Sequence, residues 1–171
     1  CYYHPDDPLV LKQVQTEKLR AAFDAARKVG RELLIEIISS KHGGMDDTTT
    51  ATVLGELYDA GLKPDWWKLE PQATARAWSE IDAVIETRDP FCRGVVLLGL
   101  EAPHDQLEAG FAAAANSRTV KGFAVGRTIF ADAAKGWFAG TMSDEQAVAD
   151  MAGRFAALVG VWERLRREEA A

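Results

Sequence analysis

Asp65-Trp66-Trp67-Lys68-Leu69-Glu70 reads as a buried β-strand interrupted by one lysine. With side chains alternating between faces, Trp67 and Leu69 point one way while Trp66, Lys68 and Glu70 point the other. A lysine inside a strand is costly, because its ammonium must give up either water or its proton. Loss of that proton also makes the amine nucleophilic enough to attack a carbonyl and form a Schiff base. The run at 32–39, Glu-Leu-Leu-Ile-Glu-Ile-Ile-Ser, divides in the same way. Leu33, Ile35 and Ile37 share one face, and Glu32, Leu34, Glu36 and Ile38 share the other. Each strand therefore pairs an apolar face with a face carrying ionisable groups toward its C-terminal end. A barrel has this property: its outside packs on helices and its mouth carries the chemistry.

Outward from these two strands the chain alternates strand and helix. Helical spacing covers 14–28, 49–60, 72–86, 105–115 and 128–135, with Gly30 and Gly61 as stop signals, and further strands are expected at 94–100 and 122–127. Strand starts near 32, 65, 94 and 122 recur about every 30 residues, the size of a βα unit. Near-continuous apolar strands separated by helices indicate a parallel sheet covered by helices. A doubly wound sheet and a barrel both fit that grammar, and the face pattern favours an α/β protein of the (β/α)8 TIM-barrel class. A last helix is expected over 143–167. Ser143 and Gln146 form its capping box, and Val148, Met151, Phe155, Leu158 and Trp162 form a core-packing stripe.

The 171 residues, 47% hydrophobic, suffice for one sizeable core. A net charge of −6 leaves no basic stripe for a nucleic acid. A small phosphate-bearing metabolite needs only one arginine and a few backbone amides. No apolar run approaches the ~20 residues that span a bilayer, so no membrane partner is expected. Two cysteines, Cys1 and Cys92, form no metal or disulfide pattern, which points to a reducing cytoplasm. The opening Cys1-Tyr2-Tyr3 reads as the interior of a strand and suggests a piece of something longer.

The candidate chemistry lies at strand ends. Glu36, between isoleucines, needs a partner, and Lys68 on the next strand is one. The pair is either a structural salt bridge or a nucleophile with its general acid/base. Gly126-Arg127, at the head of the helix after the last strand, offers backbone amides and a guanidinium fork to a phosphate. Gly99 lets backbone approach a ligand at its strand end, and Glu101 and Glu70 are candidate mouth residues. His4, His42 and His104 read as loop residues without metal-ligand spacing, so no metal is expected. Lys41-His42-Gly43-Gly44-Met45 is not a P-loop, and its glycines read as a flexible loop over a site.

Four stretches together carry a family resemblance. Tyr2-Tyr3-His4-Pro5-Asp6-Asp7, Lys63-Pro64-Asp65-Trp66-Trp67-Lys68-Leu69-Glu70-Pro71, Leu97-Leu98-Gly99-Leu100-Glu101-Ala102-Pro103 and Gly122-Phe123-Ala124-Val125-Gly126-Arg127 resemble the C-terminal aldolase-like domain of bacterial bifunctional inositol-catabolism proteins. In those proteins a sugar kinase is joined to a domain assigned as 5-dehydro-2-deoxyphosphogluconate aldolase, akin to class I tagatose-1,6-bisphosphate aldolases. The resemblance implies that Lys68 is the Schiff-base lysine of the sixth barrel strand, Glu36 the acid/base of the fifth, and Arg127 the phosphate ligand after the eighth. It implies retro-aldol cleavage of a phosphorylated keto-sugar acid, 5-dehydro-2-deoxygluconate 6-phosphate, to dihydroxyacetone phosphate and malonate semialdehyde. The iminium is the electron sink, so neither metal nor cofactor is implied. The alternative is a non-catalytic phosphosugar-binding or regulatory barrel domain attached to a kinase. On this mapping, residues 1–171 form the C-terminal part of one barrel domain, supplying roughly its fourth to eighth strands. Residues 1–7 end the fourth strand, and Gly99 and Glu101 stand where the family has a serine. Two open sheet edges then call for a partner: a second copy, the missing half-barrel or the kinase domain.

Overall fold

The structure is a computed structural model and describes residues 1–99 and 102–168. Its helices begin and end where local chemistry requires. Helix α1 (Leu9–Lys28) starts immediately after Pro8, five residues before the expected 14, because proline suits a helix entry and Leu9 and Val10 need no burial there. It is closed by Gly30, whose φ of 63° is a left-handed conformation that glycine adopts without a Cβ penalty. Strand β1 (Leu34–Ile37) and helix α2 (Thr49–Asp59) follow, then β2 (Trp66–Leu69) and α3 (Ala75–Arg88). Thr74 caps α3 by accepting from the Ala77 amide at 3.1 Å. The chain continues through β3 (Gly94–Leu98), α4 (His104–Ala114), β4 (Val120–Ala124), α5 (Arg127–Phe138) and α6 (Asp144–Glu168). The expected capping box is present, with Ser143 Oγ accepting from the Gln146 amide and Gln146 Oε1 accepting from the Ser143 amide.

The strands form one parallel sheet in the order β1-β2-β3-β4. An isolated parallel bridge joins Tyr2 to Ile38 and sets the N-terminal segment beside β1. Strictly sequential order contains no reversal, and reversal is what a doubly wound sheet requires. Successive crossovers of one hand then put their helices on one face. The core follows from this: Ile35, Ile37, Trp67, Leu69, Val95, Leu97 and Val120 pack in one cluster with Leu54, Leu57, Trp78, Ile81, Phe111 and Leu158 of the helices. The other face is open, with Leu34 and Ala124 exposed and Glu36, Trp66, Lys68, Val96 and Gly122 only partly covered.

Two sequence expectations are corrected here. The last strand starts at Val120, not 122, because Val95 pairs with Val120 while Val96 pairs with Gly122, leaving Lys121 as the extra residue of a bulge. The stripe on α6 is not wholly core: Leu158 is buried, but Val148 and Phe155 are more than half exposed. The helical period identifies one apolar face without specifying what lies against it. The start of β4 is held by Asp82 on α3. Its buried carboxylate accepts from Ser117 Oγ, Arg118 N, Thr119 N and Thr119 Oγ1 at 2.6–3.1 Å. Among the described residues, no helix is long and apolar enough to cross a membrane.

Candidate functional site

Parallel pairing puts Glu36, Lys68, Val96 and Gly122 in register across the sheet, on its open face. The glycine on β4 and the valine on β3 leave the Lys68 ammonium only one acidic neighbour in that row, on β1. Lys68 Nζ lies 2.6 Å from Glu36 Oε2. Neither group is deeply buried: the side chains retain 25% and 36% of their accessible surface, respectively. The lysine that looked desolvated in the sequence thus keeps access to water, because the face it occupies carries no helices.

Above this pair, toward the C-terminal ends of the strands, is a cleft of about 370 Å³. Glu36 and Lys68 form one side, Gly99 and Val125 lie at the ends of β3 and β4, and Gly126, Arg127 and Thr128 open α5 on the far side. A Cβ on Gly99 would come within 2.9 Å of a Val125 methyl, so the two strand ends meet too closely for a larger residue. In α5, the amides of Ile129 and Phe130 both bond the Gly126 carbonyl. The preceding amides, of Arg127 and Thr128, lie in the first turn of the helix. The Thr128 hydroxyl donates to the Ala102 carbonyl and ties the helix start to the segment after β3.

The sheet and α5 therefore bring Lys68, Glu36, Gly99, Gly126 and Arg127 to one cleft. Glu101 lies outside the described residues. Glu70 follows Lys68 with the parity expected, yet it is buried and directed away from a substrate role. Its carboxylate accepts from the Ser39 amide at 2.7 Å, the Ser40 amide at 3.0 Å and the Ser40 hydroxyl. Glu70 fixes the loop that leaves β1. The expectation of a substrate contact at this position is replaced by that of a loop clamp.

His42 is an exposed turn residue, as expected of a loop histidine, whereas His104 and His4 depart from that reading. His104 opens α4 instead of lying in a loop. His4 is buried; its Nδ1 accepts from the Asp6 amide, so its Nε2–H donates to the Gly44 carbonyl at 3.0 Å. A Cβ on Gly43 would come within 2.7 Å of that ring, so the Gly-Gly segment packs against it. His42 Nδ1 lies 2.9 and 3.0 Å from the two oxygens of Asp7. Burial pushes the Asp7 carboxyl up, but hydrogen bonds from His42 and the His4 amide outweigh it and leave the group below its usual range. Nothing in the sequence marks this pairing, since the partners are separated by 35 positions and both lie outside regular elements. Among the described residues, no three His, Cys, Asp or Glu side chains cluster in a way that could hold a metal ion.

The chain belongs to the bacterial protein family described as an uncharacterized protein conserved in bacteria (DUF2090), which it matches over residues 1–166. A comparison with curated proteins finds no significant match.

Proposed function

We propose that this protein is a class I, Schiff-base aldolase for a phosphorylated keto-sugar acid, with 5-dehydro-2-deoxygluconate 6-phosphate as the substrate suggested by the family resemblance. The observation that carries the reading is the 2.6 Å contact between Lys68 and Glu36 inside a cleft whose opposite side is the start of α5. An ammonium is not a nucleophile, and Glu36 is placed to accept its proton and free the lone pair. The amine then adds to the substrate ketone. Glu36 returns the proton to the carbinolamine hydroxyl, which leaves as water, and an iminium remains on Nζ. Glu36, ionised again, takes the proton of the hydroxyl on the carbon that becomes the aldehyde, and the cation draws in the electron pair of the breaking carbon–carbon bond, giving an enamine and releasing an aldehyde. Protonation of the enamine carbon and hydrolysis restore the lysine and release the ketone product.

The substrate phosphate belongs at Gly126-Arg127-Thr128, where a guanidinium and first-turn amides meet the positive end of a helix. In this reading the sequential parallel strands are a segment of a (β/α)8 barrel. The open face is then its interior, closed by further strands from a second copy, a complementary half-barrel or a kinase-linked segment.

Trapping tests the mechanism. The intact protein, incubated with substrate and borohydride, is expected to gain a stable adduct on the peptide containing Lys68, and Lys68→Met is expected to lose both adduct and turnover. Undiminished turnover in Lys68→Met would sink the imine mechanism. Tight substrate binding with neither adduct nor cleavage would instead assign a phosphosugar-binding module.

A further inference from the structure

Two cavities meet at the start of α5. The cleft that holds Lys68 and Glu36 occupies about 370 Å³. A second cavity, of about 740 Å³, lies between Ala102-Pro103, α5 and α6. Arg127, Thr128 and Phe130 line both, so these three residues belong to the wall that the cavities share. Of the three, only Phe130 is apolar.

The helix dictates where its ring goes. Phe130 is four residues after Gly126, and its amide bonds the Gly126 carbonyl at 3.1 Å. Helical side chains lean toward the N-terminus, so a residue at i+4 covers position i. The ring edge accordingly lies on Gly126, where a Cβ would stand 3.1 Å from Phe130 Cε1. Gly126 has a φ of −117°, outside the left-handed region, so its missing Cβ serves the close approach of the ring. Phe130 still keeps 44% of its surface exposed, so the ring is a lining of the two cavities rather than part of the core.

The second cavity suits an uncharged group. Pro103, Ala131, Ala157 and Leu158 give it apolar surface. Among the described residues its one carboxylate is Asp132, which Arg154 meets at 3.1 Å and Lys135 at 4.0 Å. Arg154 also bonds Asp150 at 2.7 Å. These charges are answered by one another, and the apolar wall remains for a ligand.

A substrate with its carbonyl at Lys68 and its phosphate at Gly126-Arg127-Thr128 sends its carbon chain from the phosphate toward β2. A second ester group on phosphorus would leave on the other side, toward the shared wall. We propose that Phe130 is a specificity-determining residue. Its ring, laid on Gly126, closes the phosphate site against the second cavity and restricts the substrate to phosphate monoesters. This rests on the Schiff-base reading above. With the ring removed, the second cavity takes the apolar alcohol group of a phosphodiester.

The test offers the intact protein two substrates, the phosphorylated keto acid and its phenyl phosphodiester, with thermal melting to verify folding. In Phe130→Ala, the ratio of kcat/KM for the diester to that for the monoester rises by about 10- to 200-fold, the range that small changes in an apolar pocket command. Phe130→Leu, which keeps an apolar side chain on the helix, gives a smaller rise in the same direction. Adding Ala157→Trp to Phe130→Ala refills the second cavity from an exposed position on α6 and returns the ratio toward that of the unaltered protein. A ratio within about twofold of the unaltered value in Phe130→Ala and Phe130→Leu, or a rise that survives Ala157→Trp, would overturn the role of Phe130. Absence of a borohydride-trapped adduct on Lys68 with the monoester, even in the unaltered protein, would overturn the Schiff-base reading, and this proposal with it.

Discussion

Lys68→Met separates a functional lysine from a structural one through stability alone. The two roles predict different magnitudes. A buried ion pair stripped of one member leaves an uncompensated charge and costs about 3–5 kcal/mol. A pair with water access is worth about 1 kcal/mol or less. Here the side chains retain 25% and 36% of their surface, so removal of the ammonium lets water solvate Glu36 in its place. Methionine keeps most of the apolar stem that packs along the sheet. The expected loss is therefore about 1 kcal/mol, which for a chain of this size lowers Tm by roughly 2–4 °C. Urea unfolding followed by circular dichroism measures it, with the slope m unchanged if the same surface is exposed. Trapping and turnover are lost in the same sample. A destabilisation of about 3 kcal/mol or more, recovered when Glu36→Leu is added, would refute the reasoning. Lys68 would then be a structural partner of Glu36, and the candidate site would lose its main support.

Two further substitutions probe the frame that positions this pair. Asp82→Ala leaves the Ser117 and Thr119 hydroxyls and two backbone amides without their acceptor at the start of β4. A loss of about 3–5 kcal/mol is expected from the urea midpoint, and a loss under about 1 kcal/mol would show that the network is replaceable. Asp65 gives a pH signature. Burial raises its carboxyl, but the Leu33 amide and Arg27 lower it further, so it lies below its ordinary 3.8 in the folded protein. A depressed carboxylate contributes stability that is fully present above that ordinary value and is lost as pH falls through the folded value. The Tm difference between the unaltered protein and Asp65→Asn should therefore be constant near pH 6 and close below about pH 4. A gap that widens on acidification would contradict the assignment.

The sequence made the sheet and its central pair legible because both depend on short-range regularities. Period two divides each strand into faces, glycines stop α1 and α2, and evenly spaced βα units bring Glu36 and Lys68 onto neighbouring strands. What escaped is set by contacts between distant segments. Face parity places Glu70 with Lys68 but does not reveal that the Ser39 and Ser40 amides close on its carboxylate. The bulge at Lys121 adds one residue to β4 with no break in the apolar pattern. His42 and Asp7 lie in separate irregular segments, where no period exists to align them.

The open face imposes a condition on the chemistry. Leu34, Trp66, Val96 and Ala124 surround the Lys68–Glu36 row on a surface that the helices do not cover. In the barrel proposed above, further strands bring side chains over this face. Burying its apolar groups stabilises such an assembly by about 25 cal/mol per Å². The same burial removes water from the ion pair, and the penalty falls on the charged forms of both members. A proton moving from Lys68 to Glu36 relieves it, because a neutral amine beside a neutral carboxylic acid needs far less solvation. The neutral amine is also the nucleophile. Closure over the open face would thus favour assembly and activate Lys68 through one event. Schiff-base formation should then depend on protein concentration or on the added partner.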